Sequence, residues 1–214
     1  MSLYLVVEGD GEVGALPALV ERLKQHLGLA VPFIPRAGGV MRYQLHLDVP
    51  RGHSEVERIC ELCRSRGPSA VLVTQDSEDA CPRNAAPQVA GWIRALALPF
   101  PVAVVLFYRE YETLFLAASQ TLQGSRLGGH VGRPGLPVGA VYRGDPEIVR
   151  NAKGWISEQL PRRYSPMLDQ EAFTRTLDLG DPGLATLSSY RRLCNALRFL
   201  ASHTESPQPG LVYP

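Results

Sequence analysis

The sequence predicts an α/β fold: a mostly parallel sheet flanked by helices, with a helical C-terminal extension. Three observations predict it. Short apolar runs of strand length alternate with segments of helical period through the first 119 residues. Beyond residue 146 only helical stripes recur. Acidic residues gather where the apolar runs give out, which is where open α/β sheets bind their ligands.

The first strand is Leu3-Tyr4-Leu5-Val6-Val7, ending on Glu8 and the turn Gly9-Asp10-Gly11. Leu16, Leu19, Val20, Leu23 and Leu27 then recur at helical spacing and predict a helix over residues 12–28, with Pro17 in its first turns, where proline is tolerated. Val31-Pro32-Phe33-Ile34-Pro35 is a short strand candidate whose prolines favour an edge. Tyr43, Leu45 and Leu47 alternate with Arg42, Gln44 and His46, the pattern of a half-buried strand.

Ser54-Glu55-Val56-Glu57 fits a capping box, and Val56, Ile59, Cys60 and Cys63 then fall on one helical face. Cys60 and Cys63 have the spacing of a half zinc site or a redox pair. No second pair follows, and both lie on the stripe that should face the core, so they are expected to pack there. The strand Ala70-Val71-Leu72-Val73-Thr74 runs out into Asp76-Ser77-Glu78-Asp79. A helix near residues 86–98 and a strand over 101–108 come next, the strand ending at Arg109-Glu110-Tyr111-Glu112. Tyr111, Leu114, Phe115 and Ala118 start a helix directly afterwards, on which Glu112 is expected to be solvated.

Residues 1–119 thus form the α/β core. Residues 120–145, with seven glycines and two prolines, predict a basic Gly-rich loop. Residues 146–205 predict a helical extension packed on the core, in pieces over 145–160, over 169–179 with Asp169 as cap, and over 184–202, where Tyr190, Leu193, Cys194 and Leu197 form a stripe. The tail Ser206-Pro207-Gln208-Pro209-Gly210 is expected to fray.

The 214 residues, 45% hydrophobic and 20% charged, suffice for one core with an appendage. No apolar run approaches the roughly 20 residues of a spanning helix, and no secretory signal opens the chain. A cytoplasmic protein with no membrane partner and reduced thiols is expected. The net charge of +1 hides an uneven layout: residues 1–119 hold 11 basic and 13 acidic side chains, and residues 120–165 hold 7 basic and 3 acidic. Only Lys24 and Lys153 are lysines. An arginine excess suits phosphate contact through forked donors and equally follows from genomic base composition.

Carboxylates at the ends of parallel strands can meet across a crevice and hold Mg²⁺ or Mn²⁺ against a phosphate. Glu8 and Asp76 are the leading pair. Glu78 would share the side of Asp76 if the strand continued, and Asp79 would turn toward the following loop. Gly9 and Gly11 are expected to allow positive φ and bring backbone N–H groups near a phosphate. Glu110 is placed like Glu8, though it also fits a first-turn glutamate favoured by the helix dipole. Glu12 is a further acid beside the first site. Lys153 is the candidate for phosphate or transition-state contact, and Arg109, Arg162 and Arg163 are candidates to track a nucleic-acid backbone.

Other chemistries find less support. There is no Gly-x-Ser-x-Gly, and the histidines show no metal-ligand spacing. Gly9-Asp10-Gly11-Glu12-Val13-Gly14 is a literal dinucleotide fingerprint. Its acidic flanks would repel a pyrophosphate, and the acid expected about 20 positions later is not evident near Ile34-Pro35-Arg36.

Val7-Glu8-Gly9-Asp10-Gly11 and Asp76-Ser77-Glu78 resemble the glutamate and Asp-x-Asp motifs of the Toprim domain, the catalytic module of topoisomerases, primases and overcoming-lysogenization-defect nucleases. The resemblance covers about the first 120 residues. Taken with Arg109-Glu110, Lys153-Gly154-Trp155-Ile156-Ser157 and Asp169-Gln170, the chain looks like a Toprim-like bacterial family of unknown function whose members often accompany an ABC-class ATPase, as in phage-defence systems. The resemblance implies a Toprim-like sheet, Glu8 as general acid or base, and Asp76 and Glu78 as metal ligands with Asp79 as a substitute. Glu78 departs from the family's second aspartate and reaches one methylene farther. The function implied is that of a Mg²⁺- or Mn²⁺-dependent nuclease on DNA or RNA, in phage defence or DNA processing beside an ATPase partner. The alternative is a non-catalytic subunit that docks an ATPase and keeps the acidic pocket as a relic.

Overall fold

The computed structural model describes residues 2–30, 32, 34–35, 37–47, 51–127 and 135–214. Five parallel strands form one sheet in the order β2-β1-β3-β4-β5: β1 is Leu3–Val7, β2 Val40–Arg42, β3 Ala70–Asp76, β4 Val102–Phe107 and β5 Val212–Tyr213. The helices are α1 Asp10–Leu27, α2 Arg51–Arg66, α3 Pro82–Ala95, α4 Thr113–Ala117, α5 Ser119–Leu122, α6 Ala152–Gln159, α7 Glu171–Thr176, α8 Pro182–Thr186 and α9 Ser188–His203, with a π-helical turn at Pro166–Gln170. The fold is α/β with a helical C-terminal region.

Strands β3 and β4 are buried along their whole length, so their sequences are continuous apolar runs rather than alternating ones. Leu3, Leu5, Val7, Leu72, Val105 and Phe107 pack on one face against Leu16, Leu19 and Leu23 of α1 and Leu193 and Leu197 of α9. Val6, Val71, Val73, Val104 and Leu106 pack on the other against Val56 and Ile59 of α2 and Val89 and Ile93 of α3. Each fully buried leucine or valine contributes roughly 1.5–3 kcal/mol, so the two layers carry most of the stability.

The crossovers put a crevice at one place. The connection leaving β1 places α1 on the first face, and the connection leaving β3 places α3 on the second. These strands are neighbours, with Leu3 opposite Ala70 and Val6 opposite Val73. Their carboxyl ends therefore flank the topological switch point, and Glu8 and Asp76 stand there.

Several elements differ from expectation. Helix α1 begins at Asp10, so Pro17 lies in its third turn and removes a hydrogen bond from the helix interior. Helix α2 begins at Arg51, and no capping box forms. The Ser54 hydroxyl donates to the Arg51 carbonyl instead, and Glu55 accepts from the backbone N–H of His46 at 2.7 Å. Of the proline-rich edge candidate, residues 31 and 33 lie outside the described residues. Strand β2 stops at Arg42 because the Gln75 side chain takes both backbone groups of Leu45, in place of a neighbouring strand.

The predicted helix over 145–160 is confined to α6, where the Asn151 side chain accepts from the Gly154 N–H at 2.8 Å. Asp169 does not cap from outside the helix. It lies within the π-helical turn, and its carboxylate reaches back to the Ser165 N–H at 2.8 Å. The tail is not frayed: Gly210, at φ +74°, turns the chain so that Val212 and Tyr213 pair with Val102 and Ala103. In the Gly-rich loop, Gln123 and Leu136 form a parallel bridge, and residues 128–134 lie outside the described ones.

All four cysteines are free. Cys60 and Cys63 pack in the core as expected, and burial pushes both thiols up to about 12. Among the described residues no helix is long and apolar enough to cross a membrane.

Candidate functional site

Glu8 and Asp76 are brought together. The Glu8 carboxylate accepts the backbone N–H of Asp76 at 3.0 Å through one oxygen and the Gln44 amide at 3.1 Å through the other. Asp76, 9% exposed, accepts the backbone N–H of Tyr111 at 2.8 Å. One carboxylate thus ties β1 to β3, and the next ties β3 to the turn after β4.

Around Asp76 stand more acids than the sequence indicated. Lys153 places its ammonium 3.7 Å from Asp76, 3.8 Å from Glu110 and 3.5 Å from Glu112. Glu110 also accepts the backbone N–H of Lys153 at 3.2 Å, which fixes the start of α6 over the site. Glu112 overturns the expectation of a solvated side chain. It is 0% exposed, takes the Tyr164 hydroxyl at 3.0 Å and the Gln170 amide at 3.4 Å, and leaves its second oxygen without a hydrogen bond. Nothing in the local sequence signals this burial, because the groups covering Glu112 arrive from beyond residue 160.

Glu12 has a structural duty. Standing three residues after the N-cap Gly9, its carboxylate accepts the N–H of Glu8 at 2.9 Å, satisfying a donor at the start of α1. Gly9 is extended, at φ −108°, and Gly11 is helical, so neither adopts the positive φ expected of a phosphate-cradling turn. Gly11 is required for another reason. A Cβ there would meet the Gln170 side-chain oxygen at 2.2 Å and the Pro166 carbonyl carbon at 2.8 Å, so this glycine lets α1 approach the π-helical turn. A packing role thus accounts for the middle glycine of the dinucleotide-like spacing.

Electrostatics follow from crowding acids in a nearly dry space. Burial, helped by the charges of Glu12 and Glu112, raises Asp76 well above the ordinary carboxylate range. Burial raises Glu8 as well, against the opposing N–H of Asp76. Burial together with the charges of Glu8 and Glu112 brings Glu12 to about 7. Glu112 is raised by burial although Lys153 works against it. For Lys153 burial disfavours the charge, but the carboxylates of Glu112, Asp76 and Glu110 outweigh it and raise the ammonium.

Glu78 and Asp79 do not extend the strand pattern. Strand β3 ends at Asp76, and Glu78 takes a left-handed conformation at φ 47°, which breaks the alternation that would have set it beside Asp76. Glu78 still lines the pocket with Asp76, Arg109, Glu110 and Lys153, a cavity of about 260 Å³. Asp79 is ion-paired with Arg109 and with Arg150, the latter at 2.6 Å. Arg109, itself at φ 67°, donates its backbone N–H to the Ser77 hydroxyl and a guanidinium N–H to the Glu78 carbonyl at 2.9 Å. Arg162 grips Asp169 with both terminal guanidinium nitrogens, and Arg163 is exposed nearby.

Carboxylate oxygens are the donor type that Mg²⁺ and Mn²⁺ take. Asp76, Glu110 and Glu112 offer hard oxygens toward one point, and one buried Glu112 oxygen has the Lys153 ammonium as its ion-pair partner and no hydrogen bond. As the side chains stand, Lys153 occupies that point, and among the described residues no group of three or more His, Cys, Asp or Glu is close enough to hold a metal ion. Comparison with protein-family models, with curated proteins and with solved structures returned no match.

Proposed function

We propose that the protein is a Mg²⁺- or Mn²⁺-dependent phosphodiester hydrolase of the Toprim-like kind, acting on DNA or RNA. One observation carries the reading: Glu8 and Asp76 are joined at the switch point of the sheet, with Glu110 and Glu112 gathered around Lys153 beside them. Asp76 and Glu112 are the preferred metal residues, with Glu110 and Glu78 on the pocket wall. A bound Mg²⁺ or Mn²⁺ would supply charge for the phosphoryl oxygens and lower the pKa of a water.

The chain's own residues do the rest. Glu8, raised above the ordinary carboxylate value by burial, exchanges the proton of the attacking water or leaving oxygen. Its two hydrogen bonds, from Asp76 and Gln44, hold its carboxylate in one orientation. Lys153 contacts the phosphate by swinging its ammonium from the carboxylates to the substrate, a move its partial exposure, 39%, permits. The pocket faces the carboxyl ends of the strands, where a strand of nucleic acid has open approach.

The test is cleavage of labelled DNA and RNA by the purified protein with Mn²⁺, beside Glu8→Gln and Asp76→Asn. Wild-type activity with at least a 100-fold loss in both variants is expected. Equal activity in all three would assign the cleavage to another agent. A second reading, a non-catalytic subunit docking an ABC-class ATPase, is favoured by Lys153 filling the acidic cage. Absence of cleavage even with such an ATPase present would select it.

A further inference from the structure

A second and larger concavity lies beside the carboxylate pocket. It measures about 630 Å³, and its walls include Arg83, Arg191, Arg192, Tyr108, Tyr213 and Cys81. Consecutive residues at the end of β4 line the two cavities, Tyr108 the second and Arg109 the first. The Arg109 guanidinium lies over the Tyr108 ring, 5.8 Å from its centroid.

Their charges differ. The carboxylate pocket mixes Asp76, Glu78, Asp79 and Glu110 with Arg109, Arg150 and Lys153, whereas the second cavity is lined by three arginines and no acidic residue. Arg192 is steadied by the Pro214 carbonyl at 2.8 Å. Arg83 and Arg191, both exposed, have no ion pair among the described residues. The wall between them is firm, because the Tyr108 N–H donates to the Ser189 hydroxyl at 2.8 Å and Glu147 holds Ser188 and Ser189 at the start of α9. Forked guanidinium groups in a concave site match the oxygens of a phosphate, and the partly buried rings of Tyr108, with Arg109 over it, and Tyr213, packed on Phe199, are aromatic surfaces of the kind on which a base stacks.

We propose that this arginine pocket seats a phosphodiester and its base from a single-stranded nucleic acid, one step along the strand from the phosphate at the carboxylate site. The position of the reacting phosphate rests on the hydrolase reading; binding in the arginine pocket does not.

The experiment is fluorescence anisotropy with labelled single-stranded DNA and RNA 12-mers in EDTA, across a salt series, with inorganic phosphate as competitor. Arg83→Ala with Arg191→Ala is expected to weaken strand binding at least tenfold. It should also lower the slope of log affinity against log salt by about 0.7, the change for one phosphate no longer neutralised. Unchanged affinity and slope overturn the proposal, as does inorganic phosphate competing as well as a strand, which would make the pocket a simple anion site. A measurement without substitution guards against misfolding. Cys81 is the one exposed cysteine at the rim, while Cys60, Cys63 and Cys194 are buried. Bound strand should slow its maleimide labelling at least fivefold, and no protection overturns the proposal. Arginine-dependent binding without hydrolysis under Mn²⁺, an ABC-class ATPase being present, retains the pocket and removes the hydrolase reading; hydrolysis with arginine-independent binding does the reverse.

Discussion

The ammonium of Lys153 stands 3.5 Å from the fully buried carboxylate of Glu112. The pair joins α6 to the turn before α4 and holds the charge balance of the whole acidic cluster. Removing the cation leaves Glu112, Asp76 and Glu110 facing one another.

Lys153→Met should therefore destabilise the protein by about 1–3 kcal/mol near pH 8, less than the roughly 3–5 kcal/mol of a fully buried broken pair because the ammonium is partly exposed. Toward pH 5 the loss should shrink, since carboxylates raised by burial take up protons before ordinary ones do. Urea unfolding at both pH values checks this. An equal loss at the two would show that Lys153 acts through packing alone.

Glu12→Gln keeps an acceptor for the Glu8 N–H and removes a charge from the cluster. Glu12 titrates at about 7 in the folded protein against an ordinary 4.5, so its favourable term is complete below about pH 4.5 and is lost as pH rises through 7. The variant should match the wild type near pH 5 and exceed it by about 1–3 kcal/mol near pH 8. Thermal unfolding of both proteins over this range decides the matter.

Divalent cation should counter the same repulsion. At pH 8, saturating Mn²⁺ or Mg²⁺ is expected to raise the melting temperature by roughly 5 °C or more, with a much smaller rise at pH 5, where protons compete for the oxygens. Asp76→Asn should abolish the increment. A rise that persists in this variant would place the cation elsewhere.

Gly11→Ala tests the approach of α1 to the π-helical turn. The new methyl meets backbone at Pro166 as well as the Gln170 side chain, so a loss of about 1–3 kcal/mol is expected. Gly9→Ala, with open space around its position, should cost far less. Similar melting temperatures for the two variants would refute the packing role.

The sheet was legible because hydrophobic period is a local property: three apolar runs mark β1, β3 and β4, an alternating stretch from Met41 overlaps the end of β2, and the carboxylates at the ends of β1 and β3 follow from the order of strands and helices. The pairing of Glu8 with Asp76 needed only that rule. Glu112 was not legible. It precedes a helix and looks like any polar first-turn residue, and its burial depends on Tyr164 and Gln170 folding back over it. Strand β5 was missed for a similar reason. Two residues bounded by prolines and Gly210 carry no period, and their pairing is dictated by the open edge of β4. The placement of Glu78 escaped because a left-handed residue other than glycine has no composition signal.

The pairing of Val102 with Val212 spans every helix from α4 to α9. Until the whole helical region has settled, β4 offers bare N–H and C=O groups along one side, a template for pairing with foreign chains. Closing so long a contour is slow, because the entropy lost in joining distant segments comes before the contacts that offset it. Aggregation during refolding should therefore be governed by when β5 docks, and changes near Gly210 should affect yield more than they affect the finished protein.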